Sequence, residues 1–166
     1  AERPVLAVVV GTTREGTNWF PDRYARVLEA ASEDYGLEPV IVGRRAAEER
    51  AAAEEVIRLT RTKVRQELRD DLRRLAWILD GSALMLSPDT GPLHVASALG
   101  TPVIGMYGYT DPKRVGPYRK WPDLVIDRFT REGETTATPG FRAGNMERIT
   151  IEDVLEKLDL AVRQYL

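Results

Sequence analysis

The residues whose types and spacing carry the most chemistry are Asp89, Thr90, Gly91 and His94, in the run Ser87-Pro88-Asp89-Thr90-Gly91-Pro92-Leu93-His94. Pro92 suits the first turn of a helix, where its missing N–H costs nothing, and Asp89 and Thr90 precede it as natural caps. A helix start presents unpaired amides and partial positive charge, so this turn attracts anions. Gly91 lets a ligand approach the backbone closely. His94, the only histidine of the chain, falls in the first helical turn and can point at whatever the turn holds. The same residues also read as a capped helix with an ordinary surface histidine, and spacing alone does not separate the two.

Two further loops carry candidate groups. Gly11 to Pro21 is polar and glycine-bearing and follows an apolar run, the usual place for a ligand loop in an open α/β sheet. Thr12 and Thr13 could hydrogen-bond phosphate oxygens and Arg14 could add charge, or the threonines cap the next turn of a hydrophilic connection. Gly108 to Tyr118 is rich in turn residues. Thr110, Lys113 and Arg114 are candidate pyrophosphate contacts there, or the loop is structural and held by its prolines.

The elements that must position these loops alternate between strand and helix. Apolar runs at Pro4–Val10, Leu37–Val42, Leu84–Leu86 and Val103–Tyr107 read as strands buried on both faces. Asp22–Tyr35 reads as a helix with Tyr24, Val27, Leu28 and Ala31 on its apolar stripe, and Trp19 and Tyr24 as packing residues. Ala46–Ala53 has strong helix propensity, and Val56–Thr60 reads as a short strand. Arg61–Arg74 mixes both charge signs at helical spacing, which favours a solvated face laced with i,i+4 pairs over a nucleic-acid or membrane surface. Leu68, Leu72, Leu75, Ile78 and Leu79 form its buried stripe, with Trp77 at the edge. A helix opens at Pro92 and ends at Gly100. Asp123–Asp127 is expected as a last short strand, Phe129–Asn145 as an irregular surface segment, and Ile151–Leu166 as a helix boxed by Thr150 and Asp153. Strand, loop and helix recur about five times, which implies an open parallel α/β sheet of Rossmann type with helices on both faces and the three loops at its carboxyl edge.

Composition narrows the function classes. The 166 residues are one domain's worth, 43% hydrophobic and 30% charged, as a folded globular domain requires. A formal net charge of −2 leaves no nucleic-acid footprint. No apolar run approaches a membrane span. With no cysteine and one histidine, disulfides, thiolate metal sites and histidine-cluster zinc sites are not expected.

The run D-T-G-P-L-H-V-A-S-A-L-G-T-P-V-I-G-M-Y-G-Y-T-D-P-K-R-V-G-P-Y resembles the C-terminal domain of glycosyltransferase family 9, the ADP-heptose:lipopolysaccharide heptosyltransferases and their relatives. It joins the D-T-G-x-x-H turn, the A-L-G-T-P helix end and the T-D-P…G-P-Y loop in order, and the resemblance extends more loosely over nearly the whole chain. It implies that residues 1–166 are the nucleotide-sugar half of a two-Rossmann-domain (B-type) glycosyltransferase, with the N-terminal acceptor domain outside this chain. The implied reaction is inverting transfer of a heptose from an ADP-sugar to a lipopolysaccharide core acceptor. The general base is expected in the other domain, and the isolated chain is expected to bind nucleotide without turning over. No cofactor or metal is implied beyond the donor, and the location implied is cytoplasmic, with the larger protein peripheral at the inner membrane face.

The resemblance also implies donor contacts at Thr12, Thr13, Arg14, Asp89, Thr90, Gly91 and His94, and more weakly at Glu48, near the donor ribose, and at Thr110, Lys113 and Arg114. One departure stands out. Many members carry a lysine just before the Trp-Pro part of the first loop, whereas this chain reads Thr17-Asn18-Trp19-Phe20-Pro21. Arg14 or Lys113 is then the cation left to compensate. The rival readings are a non-catalytic nucleotide-binding module and a same-fold transferase using another nucleotide sugar.

Overall fold

The computed structural model describes residues 2–14, 16–117 and 119–166. Glu15 of the first loop and Tyr118, the last residue of the G-P-Y motif, lie outside the described residues, as does Ala1. Six strands form one parallel sheet in the order β3-β2-β1-β4-β5-β6. They are β1 (Val5–Val8), β2 (Glu38–Gly43), β3 (Arg65–Leu68), β4 (Leu84–Pro88), β5 (Val103–Tyr107) and β6 (Val125–Asp127). Between and after them lie α1 (Pro21–Glu33), α2 (Ala47–Leu59), α3 (Leu72–Asp80), α4 (Gly91–Leu99), the single turn α5 (Pro112–Val115) and α6 (Ile151–Tyr165). The expectation of an open parallel sheet with helices on both faces is met.

The faces sort by the two-residue period of the strands. Leu6, Val8 and Val10 turn toward one core with Tyr24, Val27 and Leu28 of α1, Val56 of α2 and Leu158 of α6. Ala7 and Val9 turn toward the other, with Ile78 and Leu79 of α3 and Leu93 and Ala96 of α4. The chain therefore changes faces between β3 and β4. β1 and β4 lie side by side with Leu6 against Leu84 and Val8 against Leu86. Their outgoing connections leave toward opposite faces, and such a reversal opens a crevice at the carboxyl edge.

The sequence expectations fail on the charged half. Val56–Leu59 is not a strand but the last turn of α2. Val56 is buried on the same helical face as Ala53, three residues back, so its β-branched side chain serves a helix stripe. The strand is instead Arg65–Leu68, which pairs only with β2. It is an edge strand with Arg65 and Gln66 exposed, so no apolar run announces it. Asp71 starts α3 late by accepting the amides of Arg73 and Arg74. Leu72 then falls outside the buried stripe at 67% exposure. The charges pair across elements, Arg61 with Glu29 at 3.4 Å and Arg65 with Glu38 at 3.5 Å, rather than along one helix. The last strand is also shorter than expected, since Pro122–Leu124 forms a 3-10 turn. Trp19 and Tyr24 are packing residues as expected, buried and edge-to-face at 4.9 Å.

Residues 128–144 are irregular and lead into a 3-10 turn at Asn145–Arg148, yet this stretch is tied to the sheet as a strap. Arg142 donates from its backbone to the Tyr109 carbonyl at 3.0 Å, and Asp111 accepts the Thr138 amide at 2.7 Å. Burial alone would raise the Asp111 carboxyl, but the Thr138 amide and the Lys113 ammonium and amide leave it below its ordinary range. Arg142 chelates Glu134 at 2.6 and 2.9 Å, which with the Arg131 amide holds that carboxyl down to about 2. After the strap, the Ile149 carbonyl accepts from Trp19 Nε1 at 2.9 Å and from Arg23 at 2.6 Å, and the Thr150–Asp153 capping box opens α6.

Gly108 shows how closely the strap lies. A Cβ there would fall 2.8 Å from the Met146 nitrogen and from Met146 Sδ. Gly108→Ala should therefore cost about 1–3 kcal/mol of stability, read as a lowered urea midpoint. An unchanged midpoint would mean that the strap yields without cost.

Candidate functional site

The crevice between β1 and β4 continues into a cavity of about 660 Å³ that reaches the ends of β2 and β3. Of the residues expected from sequence, Thr12, Thr13, Thr90 and Gly91 line it. Arg14 and Asp89 adjoin these in the same loops, His94 lies in the first turn of α4 and Thr110 in the loop after β5, and none of the four lines the cavity. Glu48 is exposed on α2, and the acid that lines the cavity is its neighbour Glu49.

The first loop is folded on itself. The Thr12 amide donates to Asn18 Oδ1 at 2.7 Å, and the hydroxyls of Thr12 and Thr17 both donate to the Arg14 carbonyl, at 3.2 and 2.7 Å. Thr12 and Thr17 also meet hydroxyl to hydroxyl. Thr17 is buried, so the stretch without lysine closes the loop internally. Thr12 thus holds the loop's shape, while Thr13 stands exposed at the cavity wall.

The second loop is the β4–α4 turn. Thr90 is the cap residue of α4 but makes no side-chain cap; its hydroxyl pairs with Ser87 Oγ at 2.9 Å. The helix start therefore faces the crevice uncapped by a side chain, an arrangement suited to an anion. A Cβ added at Gly91 would meet no protein atom within 4 Å, so that position is open to whatever fills the crevice.

Asp89 joins this turn to the third loop. Its Oδ1 lies 2.9 Å from His94 Nε2, its Oδ2 accepts the Thr110 hydroxyl at 2.8 Å, and its carbonyl accepts the Tyr109 hydroxyl. The hydrogen bond to Asp89 raises the His94 pKa against the opposing effect of partial burial, and the Asp89 charge adds to the rise. When protonated, this imidazole, half exposed beside the helix start, is a second attractor for anions. Thr110 is thus a brace for Asp89. Lys113 is held by Asp111 at 3.0 Å and by Thr130 at 2.6 Å, and Arg114 is exposed on α5.

Glu49 is the functional candidate that sequence reasoning missed. It is buried, accepting the Arg44 amide at 2.7 Å and Arg44 Nε at 3.2 Å. Gly43, at φ 155°, makes room, because a Cβ there would collide with Glu49 Oε2. The available signal was helical spacing. Glu49 stands four residues before Ala53 and seven before Val56, so it is an acid on the apolar stripe of α2. An acid after the second strand of a Rossmann sheet stands where a ribose hydroxyl is usually held.

Comparison with known proteins agrees with this fold. The sequence profile of Glycosyltransferase family 9 (heptosyltransferase) matches residues 1–134. The lipopolysaccharide core heptosyltransferase OpsX of Haemophilus influenzae is 31% identical over 124 residues, 74% of this chain and 35% of that protein. Among solved structures, the glycosyl transferase family 9 protein of Veillonella parvula superposes with a TM-score of 0.82 at 20% identity, over 98% of this chain and 46% of that one. E. coli heptosyltransferase WaaC with ADP gives 0.72 at 20% identity, over 96% of this chain and 44% of that one. The chain thus spans about a third of the curated relative and under half of either solved structure. Among the described residues no helix is long and apolar enough to cross a membrane.

The lone histidine makes the Asp89 contact measurable. In Asp89→Asn the NMR titration midpoint of His94 should fall toward the ordinary value of about 6.5. Because the folded pKa is the raised one, the stability this pair contributes is complete below the unfolded value. It is lost as pH rises through the folded value. A midpoint unmoved by the substitution would show that another group holds the imidazole.

Proposed function

Because this chain belongs to glycosyltransferase family 9, we propose that it is the donor-binding half of an inverting heptosyltransferase that uses an ADP-heptose and acts on a lipopolysaccharide core. The observation that carries the reading is the grouping of three anion-attracting features: the exposed Thr13 and the uncapped start of α4 at Thr90 and Gly91 in the cavity wall, and, beside that helix start, His94 made more basic by Asp89. In such a transfer the acceptor oxygen attacks the anomeric carbon from the face opposite the donor phosphate. The bond from that carbon to the phosphate oxygen breaks, and its electrons leave with the diphosphate. The amides and the imidazolium stabilise that growing charge. The acceptor proton goes to a base contributed by another domain. Glu49, at the far end of the cavity, is assigned to a ribose hydroxyl. The binding of ADP by the fold's relative WaaC supports adenine as the base.

One observation favours a second reading. Thr17 and Asn18 close the first loop where the family's lysine is expected, which suits a module that binds nucleotide without transferring a sugar.

Titration calorimetry with ADP and UDP tests the donor reading. ADP should bind and UDP should bind more weakly, and His94→Ala should weaken ADP by about tenfold or more. Affinity should fall as pH rises through the His94 pKa. Binding of neither nucleotide would sink the proposal, and ADP binding without heptose transfer by the complete two-domain protein would select the second reading.

A further inference from the structure

On the reading that the crevice holds a diphosphate, the first loop still needs a cation. Most cations around the crevice are already matched to a carboxylate. Arg44 pairs with Glu49 at 3.2 Å, Arg69 with Glu67 at 3.1 Å and Lys113 with Asp111 at 3.0 Å. Arg14, directly after Thr12 and Thr13, forms no ion pair or side-chain hydrogen bond with another described residue. Its guanidinium carbon lies instead 4.2 Å from the centroid of the Phe141 ring. Phe141 in turn packs on Tyr109, centroids 5.8 Å apart, and Tyr109 donates its hydroxyl to the Asp89 carbonyl. Arg142, the next residue, anchors this part of the strap to the Tyr109 carbonyl at 3.0 Å.

Resting on that donor reading, we propose that Phe141 is a positioning residue for donor binding: it stacks on Arg14 and fixes it as the cation that receives the diphosphate. Stacking occupies one face of a guanidinium and leaves its N–H edges free, the edges that bind phosphate oxygens in pairs. A long side chain on a surface loop otherwise loses rotamer freedom when it binds, and a ring that already holds it reduces that cost. The strap thus works as part of the site. It carries the ring, and through Tyr109 it sets the ring at a fixed place relative to the Asp89 turn.

The test is calorimetry with ADP, AMP and inorganic pyrophosphate on the wild type, Phe141→Leu, Phe141→Tyr, Arg14→Ala and the Arg14→Ala/Phe141→Leu double variant. Phe141→Leu should weaken ADP and pyrophosphate by about three- to tenfold and AMP less. Phe141→Tyr, which keeps the ring, should restore wild-type affinity. In the Arg14→Ala background the loss of the ring should have no further effect. Equal weakening of ADP and AMP, or additive losses in the double variant, would mean that Phe141 only shapes the fold and would overturn the proposal. ADP bound equally by wild type and Phe141→Leu overturns this proposal alone, whereas failure of the wild type to bind ADP overturns the donor reading and this one with it.

Discussion

Asp89 is the contact on which the rest of the site depends. It sits where the chain turns from β4 into α4, and it is held at three points: by His94 and Thr110 through its carboxylate, and by Tyr109 through its carbonyl. Those three partners belong to two elements, so one residue fixes both the helix start and the loop after β5. The same bond that orients the imidazole also makes it more basic. Position and electrostatics are therefore one property here, and a change at Asp89 alters both at once.

Around that residue, space is limited from below and open from above. Gly11, Gly43 and Gly108 sit where a Cβ would collide with Glu49, with its carboxylate and with Met146, so the loop bases are packed to contact. Gly91 meets nothing. The contrast separates glycines that let the protein close on itself from the one that leaves room for something else. It also explains why an uncapped helix start is stable here. The turn is braced from beneath by Ser87 and Tyr109, so it needs no capping side chain of its own.

The sequence was most readable where local signals agree. The β4–α4–β5 unit has apolar runs bounded by proline and glycine, and its structure follows the expectation closely. It was least readable where long-range pairing decides. β3 is a strand only because β2 offers it a ladder, and nothing in Arg-Gln-Glu-Leu signals that alone. The cavity acid was missed by one residue, since the choice between Glu48 and Glu49 depends on the phase of α2 and not on residue type. The strap was invisible for the same reason. Its anchors, Asp111 to Thr138 and Arg142 to Tyr109, are single polar bonds between distant parts of the chain. Among the candidate cations, Lys113 has an acid beside it and Arg14 an aromatic ring, neighbours that only the fold brings together.

The bonds from Trp19 and Arg23 to the Ile149 carbonyl also set an order of events. They join residues 130 and 126 positions apart in sequence, and contacts of such high sequence separation are slow to form. The loop bearing Thr12 and Thr13 leads directly into those residues. On a ribosome, the early strands can pair well before residue 149 has emerged, while the first loop still lacks its last support. The six strands can therefore pair before the first loop is held, and a chain cut before Ile149 would carry the sheet without the two bonds that support that loop.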